Sequence, residues 1–143
     1  MKLVFPGEPT PKQSARFRGF MKGKKIAVQS YQTTEVKNKQ KTAKLEAISQ
    51  LPKDHVPYDC PIGVKVLFVF PPLKSWKKQM KDDFKAGYKI YKDTKPDLHD
   101  NLMKMVFDAM EKVVFTNDSR VAKVESEKIY GTEPRTEITF YEL

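Results

Sequence analysis

The stretch that most restricts how this chain can fold is Ile62 to Phe70, reading IGVKVLFVF. In an extended strand, Ile62, Val64, Val66, Phe68 and Phe70 share one face, and Leu67 and Val69 make the other face apolar too. A strand with one face in water alternates apolar and polar residues. This one does not, so it predicts an interior strand covered on both sides. Pro71-Pro72 ends it.

The other elements are read around that strand. Lys2 to Phe5 is a short strand closed by Pro6-Gly7. Glu8 to Lys25, interrupted by Pro9, Pro11, Gly19 and Gly23, reads as loop, and Ile26 to Gln29 as a strand. Thr33-Thr34-Glu35-Val36 has the cap and early acid of a helix start. That helix runs to about Gln50, with Val36, Ala43, Ala47 and Ile48 inward and Lys37, Lys39, Lys41 and Lys44 outward; Pro52 stops it. Lys74 to Lys85 places Trp76, Met80 and Phe84 on one helical stripe among lysines. It is open to two readings, a short amphipathic helix or a basic tether, of which the tether is preferred.

Gly87 to Thr94 reads as loop. From Leu98 to about Lys112 the apolar residues Leu98, Leu102, Met105, Val106, Ala109 and Met110 recur at helical spacing. Val113 to Phe115 and Arg120 to Tyr130 are expected strands on either side of a turn at Thr116 to Ser119. Gly131 to Arg135 turns again, and Glu137 to Leu143 closes as a last strand. The expected fold is one α+β domain over residues 1–143, with a mixed β-sheet and two or three helices.

Charge narrows the partners. Lys and Arg number 27 against 18 Asp and Glu, a formal net charge of +9, which favours a polyanion: nucleic acid or an anionic membrane surface. No apolar run is long enough for a transmembrane helix, and Asp82 and Asp83 interrupt the one basic amphipathic segment, so no membrane partner is expected. The first residues lack the apolar region of a signal peptide. The single cysteine, Cys60, excludes an internal disulfide and suits a reducing cytoplasm. Neither it nor His55 has a second ligand at zinc spacing. Lys12, Arg16, Arg18, Lys22, Lys24 and Lys25 interleave with Phe17 and Phe20, a pattern suited to a phosphate backbone with exposed bases. Lys74, Lys77 and Lys78 join them as candidate nucleic-acid contacts, which the resemblance described below makes contacts to DNA.

The candidate chemistry lies between Lys95 and Arg120, reading KPDLHDNLMKMVFDAMEKVVFTNDSR. Asp97 and Asp100 stand at a helix start and Asp118 in a later turn, places that a compact fold can bring together. Oxygen donors suit hard cations such as magnesium, and clustered carboxylates repel unless a cation or proton intervenes. The competing reading is structural: an N-cap at Asp97 or Asp100, and turn chemistry at Asp118-Ser119.

These residues resemble the RusA family of Holliday junction resolvases. The family pattern is an Asp-x-Asp-Asn-Leu opening, a lysine four residues after the second aspartate, and an Asp-Asp-Ser/Ala-Gln-Val turn. Here the corresponding residues are Asp97, Asp100-Asn101-Leu102, Lys104 and Asn117-Asp118-Ser119-Arg120-Val121. Pro6-Gly7, Pro11-Lys12 and Arg16-Phe17 look like the family's start, and Lys128 to Phe140 like its end. The resemblance implies a magnesium-dependent endonuclease, with manganese as a substitute, that cuts branched DNA such as a four-way junction. It further implies a homodimer making paired nicks in recombination and repair, cytoplasmic in bacteria and commonly encoded by phages or prophages. It assigns metal binding to Asp97, Asp100 and Asp118 and catalytic support to Lys104. Two departures stand out. His99 sets the first two aspartates three residues apart rather than two, and Asn117 and Arg120 replace the usual aspartate and glutamine. They motivate the alternative of an inactive junction-binding accessory protein. Apolar faces of the last helix, or of Ile62 to Phe70, are the expected dimer contacts.

Overall fold

The computed structural model describes residues 1–12, 16–31 and 33–143, without the side chains of residues 16–18, 22 and 29–31. Its centre is a four-stranded sheet in the order β1-β6-β4-β5. β4 (Ile62–Phe70) lies between β5 (Val121–Tyr130), to which it is parallel, and β6 (Arg135–Glu142), to which it is antiparallel. β1 (Lys2–Pro6) pairs antiparallel with β6 and forms one edge. The sheet is therefore mixed and the fold α+β, with the strand that is apolar on both faces in an interior position.

Cover is unequal on the two sides. Ile62, Val64, Val66, Phe68 and Phe70 belong to the main core with Leu3, Ile138, Phe140, Leu102, Val106 and Phe115. On the opposite face Lys65 is exposed, Leu67 half-buried and Val69 buried outside that core. No helix is needed there, because neighbouring loops and side chains lie close. A Cβ at Gly63 would collide with the Tyr141 ring, and one at Gly131 would come within 2.5 Å of Val69 Cγ1. The expected cover is thus complete on one face only: on the other, Gly63 and Val69 are buried and Lys65 is open to solvent.

Helix α1 (Thr34–Gln50) starts where predicted, with the Thr33 hydroxyl accepting from Val36 N at 3.4 Å. It docks through its small residues: Ala47 is buried and Ala43 half-buried. Ile48, expected inward, is 55 % exposed, since it is turned about 100° from Ala47 on the helix. At the helix end the Gln50 side-chain amide accepts from Val4 N at 2.8 Å and donates to Val4 O at 2.7 Å. These bonds occupy backbone groups that edge strand β1 would otherwise leave open.

Three expectations are corrected. Within the segment read as loop, Arg16–Lys22 forms β2, paired antiparallel with β3 (Lys25–Tyr31) in a hairpin separate from the main sheet. Gly23, at φ 65°, supplies the left-handed backbone of its two-residue turn. The preferred tether at Lys74 to Lys85 instead contains helix α2 (Lys78–Lys85), anchored by Trp76 packing on Phe84 and Tyr130. Val113 to Phe115 is no strand: Phe115 makes only isolated bridges with Tyr58 and Glu111. The chain folds back there and seats Val114 and Phe115 in the core.

The expected dimer contacts are consumed within the monomer. Leu102, Val106, Ala109 and Met110 are buried in one core with the inner face of β4, and Met105 is buried too. Exposed large apolar residues include Met21, Ile26 and Val28 on the hairpin and Leu45 and Ile48 on α1. Among the described residues no helix is long and apolar enough to cross a membrane.

Candidate active site

His99 has a structural signature. Leu98–Met103 is a π-helical turn, in which Leu102 N donates to Asp97 O, five residues back, at 3.1 Å. A π-turn is how a helix absorbs one extra residue without losing register. The extra residue bulges outward, exposing His99 and Asp100, while Leu102 and Met103 stay buried. Helix α3 (Lys104–Met110) continues with its apolar face on the core. It ends earlier than predicted, because Lys112 adopts φ 65° and reverses the chain.

The local hydrogen bonds bear on the structural reading of the aspartates. Asp97 occupies the position before the π-turn, yet its side chain makes no capping bond. Its backbone N–H is taken by Asn101 Oδ1 at 3.3 Å. In the later turn, Asn117 supplies the cap: its Oδ1 accepts from Ser119 N at 2.9 Å at the head of a short 3₁₀ turn, Asp118–Arg120. Among the described residues, the side chains of Asp97, Asp100 and Asp118 make no hydrogen bond or ion pair. These three carboxylates do no capping, so that duty does not account for them.

The turn carrying Asp118 is held from the side. Arg120 Nε and Thr116 Oγ1 each donate to Asp59 Oδ1 at 2.9 Å, and Thr116 N donates to Tyr58 O at 3.0 Å. The Thr116 hydroxyl, then the Arg120 guanidinium, hold the Asp59 carboxyl below its ordinary value. Asp118 is affected oppositely. Partial burial, followed by the charges of Glu111 and Asp108, pushes its carboxyl up.

The segment before Asp97 is tied to β5. Lys128 Nζ donates to Thr94 O at 2.7 Å and Pro96 O at 2.9 Å, and Lys92 N to Lys128 O at 2.9 Å. Burial and the nearby Lys92 ammonium lower the Lys128 pKa, against the opposing pull of Asp97 and Asp93. Asp118 thus feels the charges of Glu111 and Asp108, and Lys128 those of Asp97 and Asp93. Among the described residues, no group of three or more His, Cys, Asp or Glu side chains could hold a metal ion. The donors are hard oxygens free of structural duty, which suits a magnesium ion held by one or two carboxylates and several waters. They do not form a ready three-carboxylate cage.

Lys104 is half-buried on α3 and, among the described residues, has no ion-pair partner. Its neighbour one turn on, Asp108, is bound instead by Lys12: Nζ to Oδ2 at 2.6 Å, with Gln40 Oε1 at 2.9 Å from the same ammonium. Lys12, predicted as a DNA contact, thus points inward, its side chain 13 % exposed. Lys24, Lys25, Lys74, Lys77 and Lys78 are exposed to solvent. The side chains of Arg16, Arg18 and Lys22 lie outside the described residues. Sequence reasoning missed the roles of Asp59, Asp108, Lys128 and Gln40. Lys12 and Asp108 are 96 positions apart, so no local pattern announces the pair. A cavity of about 210 Å³ between the Phe5–Thr10 segment, α1 and α3 includes none of the predicted site residues in its lining.

The chain is 28 % identical over 143 residues to a Bacillus subtilis (strain 168) protein named uncharacterized protein YqaN, covering 100 % of this chain and 96 % of that protein. The family model described as endodeoxyribonuclease RusA matches residues 6–141, nearly the whole chain. The match takes in the hairpin, the π-turn that contains Asp100 and follows Asp97, and the turn at Asp118, so the chain belongs to the RusA family of endodeoxyribonucleases.

Proposed function

We propose that residues 1–143 form one endonuclease domain that resolves Holliday junctions and related branched DNA by paired nicks, dependent on magnesium or manganese. The observation that carries this reading is that, among the described residues of a member of this nuclease family, Asp97, Asp100 and Asp118 make no side-chain hydrogen bond or ion pair and Lys104 makes no ion pair. In the proposal the three aspartates bind the cation. A bound magnesium ion supplies an activated water and polarises the phosphate. Lys104 meets the negative charge that develops on the phosphate. Exposed Lys24, Lys25, Lys74, Lys77 and Lys78, with Arg16, Arg18 and Lys22, hold the junction arms. A four-way junction is two-fold symmetric, and two matched cuts are most simply made by a homodimer. The site of action would be the bacterial cytoplasm, with a phage or prophage origin.

The test is cleavage of a synthetic four-way junction beside linear duplex, with magnesium and with EDTA. Paired, magnesium-dependent nicks in the junction alone are expected. Asp118→Asn should abolish cleavage and leave junction binding intact or tighter, since one negative charge leaves the phosphate site. Full cleavage by that variant would remove Asp118 from the site.

The absence of a three-carboxylate group among the described residues favours a second reading, a junction-binding accessory protein without nuclease activity. It predicts tight junction binding and no cutting with either metal.

A further inference from the structure

Lys12 makes four hydrogen bonds to three residues of the helical segment and its neighbour α1. Lys12 N donates to Asn101 O at 3.0 Å, and Asn101 Nδ2 donates to Lys12 O at 3.3 Å. Its ammonium binds Asp108 Oδ2 and Gln40 Oε1. Asn101, Lys104 and Asp108 are spaced three and four residues apart, so they share one side of the helical segment. Lys104 therefore stands between the two points that Lys12 grips. Without Lys12, Asp108 would be the natural i,i+4 partner of Lys104, and its charge would bear on Asp118 without a counter-ion.

We propose that Lys12 is a positioning residue of the nuclease site: by sequestering Asp108 it keeps the Lys104 ammonium free for the phosphate. The assignment rests on the nuclease reading above and changes one part of it. Lys12 serves the reaction through Asp108 and Lys104 and does not contact DNA. The pair is largely shielded, with Lys12 and Asp108 side chains 13 % and 28 % exposed, and Gln40 satisfies the ammonium further. An arm-binding lysine would instead present its ammonium to solvent. Gln40 also donates from Nε2 to Asp108 O at 3.3 Å, so α1 braces both the lysine and the helix it grips.

The test uses the full-length protein and its Lys12→Met, Asp108→Asn and double variants, with two readouts. The first is single-turnover cleavage of the four-way junction, with junction affinity measured across a salt series. Lys12→Met should slow cleavage by about two- to fivefold, the factor by which a surface-strength ion pair with Asp108 would reduce free Lys104. Its affinity and salt slope should be unchanged, and the double variant should recover most of the rate because no carboxylate is left to capture Lys104. A merely structural role predicts a double variant no faster than Lys12→Met, and that result would overturn the proposal. So would a DNA-contact result, in which Lys12→Met weakens binding and lowers the salt slope by about 0.9.

The second readout needs no catalysis: the rate of amine acylation at Lys104 in the free protein, followed by peptide mass spectrometry. It should fall about two- to fivefold in Lys12→Met, the factor expected of a surface-strength ion pair, and return in the double variant. An unchanged Lys104 rate in Lys12→Met would overturn the proposal. If the wild-type protein cuts nothing, the nuclease reading fails, and the acylation series still decides whether Lys12 keeps Asp108 from Lys104.

Discussion

Asp118 and Asn117 divide two tasks that one residue often combines. The Asn117 amide caps the turn, and the neighbouring carboxylate remains free. That freedom has an electrostatic consequence. Partial burial and the charges of Glu111 and Asp108 raise the Asp118 pKa, so the folded protein holds this proton more tightly than the unfolded chain. Below the ordinary aspartate range the group is protonated in both states, and its proton is held at no cost to the fold. Stability then falls as pH rises through the window between the unfolded value and the raised folded one, and stays lower above it. Asp118→Asn should therefore stabilise the metal-free protein at neutral pH by about 0.5 kcal/mol or less, discounted for solvent screening. The gain should vanish at acid pH and shrink with salt. Urea unfolding at two pH values and two ionic strengths checks the sign; a loss of stability at neutral pH would contradict it.

The helical segment from Leu98 to Met110 shows how one residue changes an element without changing its packing. The π-turn takes up the extra residue at His99 on the solvent side, and the buried series from Leu102 to Met110 continues on the core side. Its far end is less favourable. Lys112 adopts φ 65°, a left-handed conformation in which a Cβ is costly and glycine is at ease. Lys112→Gly should therefore stabilise the fold by about 1 kcal/mol relative to the parent. Lys112→Ala should not, since it keeps the Cβ; urea titration of both variants makes the comparison. At the sheet edge, the Gln50 amide bonds to Val4 N and O show α1 protecting a strand as well as covering a core.

For the whole molecule, the excess positive charge is unevenly used. Lys12 is turned inward and Lys128 holds the carbonyls of Thr94 and Pro96, whereas Lys74, Lys77 and Lys78 stand exposed at and before α2. If those three neutralise phosphates, replacing all of them with alanine should lower the log–log salt slope of junction binding by about 0.9 for each phosphate no longer neutralised. Replacing Lys128 should instead act through the 94–97 segment and leave that slope unchanged. Fluorescence anisotropy over a salt series separates the two cases.

The sequence alone determined whatever depends on local period and composition. Ile62 to Phe70 declared an interior strand, Thr33 a helix start and Leu102 to Met110 one buried helix face, because periodicity is written in neighbouring residues. The family was legible for a related reason, its motif elements lying close together between Asp97 and Val121. The hairpin at Arg16–Tyr31 was harder to read, since Gly19 and Gly23 look like loop punctuation and its strands join no central sheet. Trp76 likewise gave no sign that Tyr130, far along the chain, would anchor it. Only the tertiary structure decided which charges are free and which are occupied. Lys12 and Asp108 are ordinary polar residues until folding brings them within 2.6 Å across 96 positions. The energy of such a pair depends on distance and solvent exclusion, which local sequence does not encode.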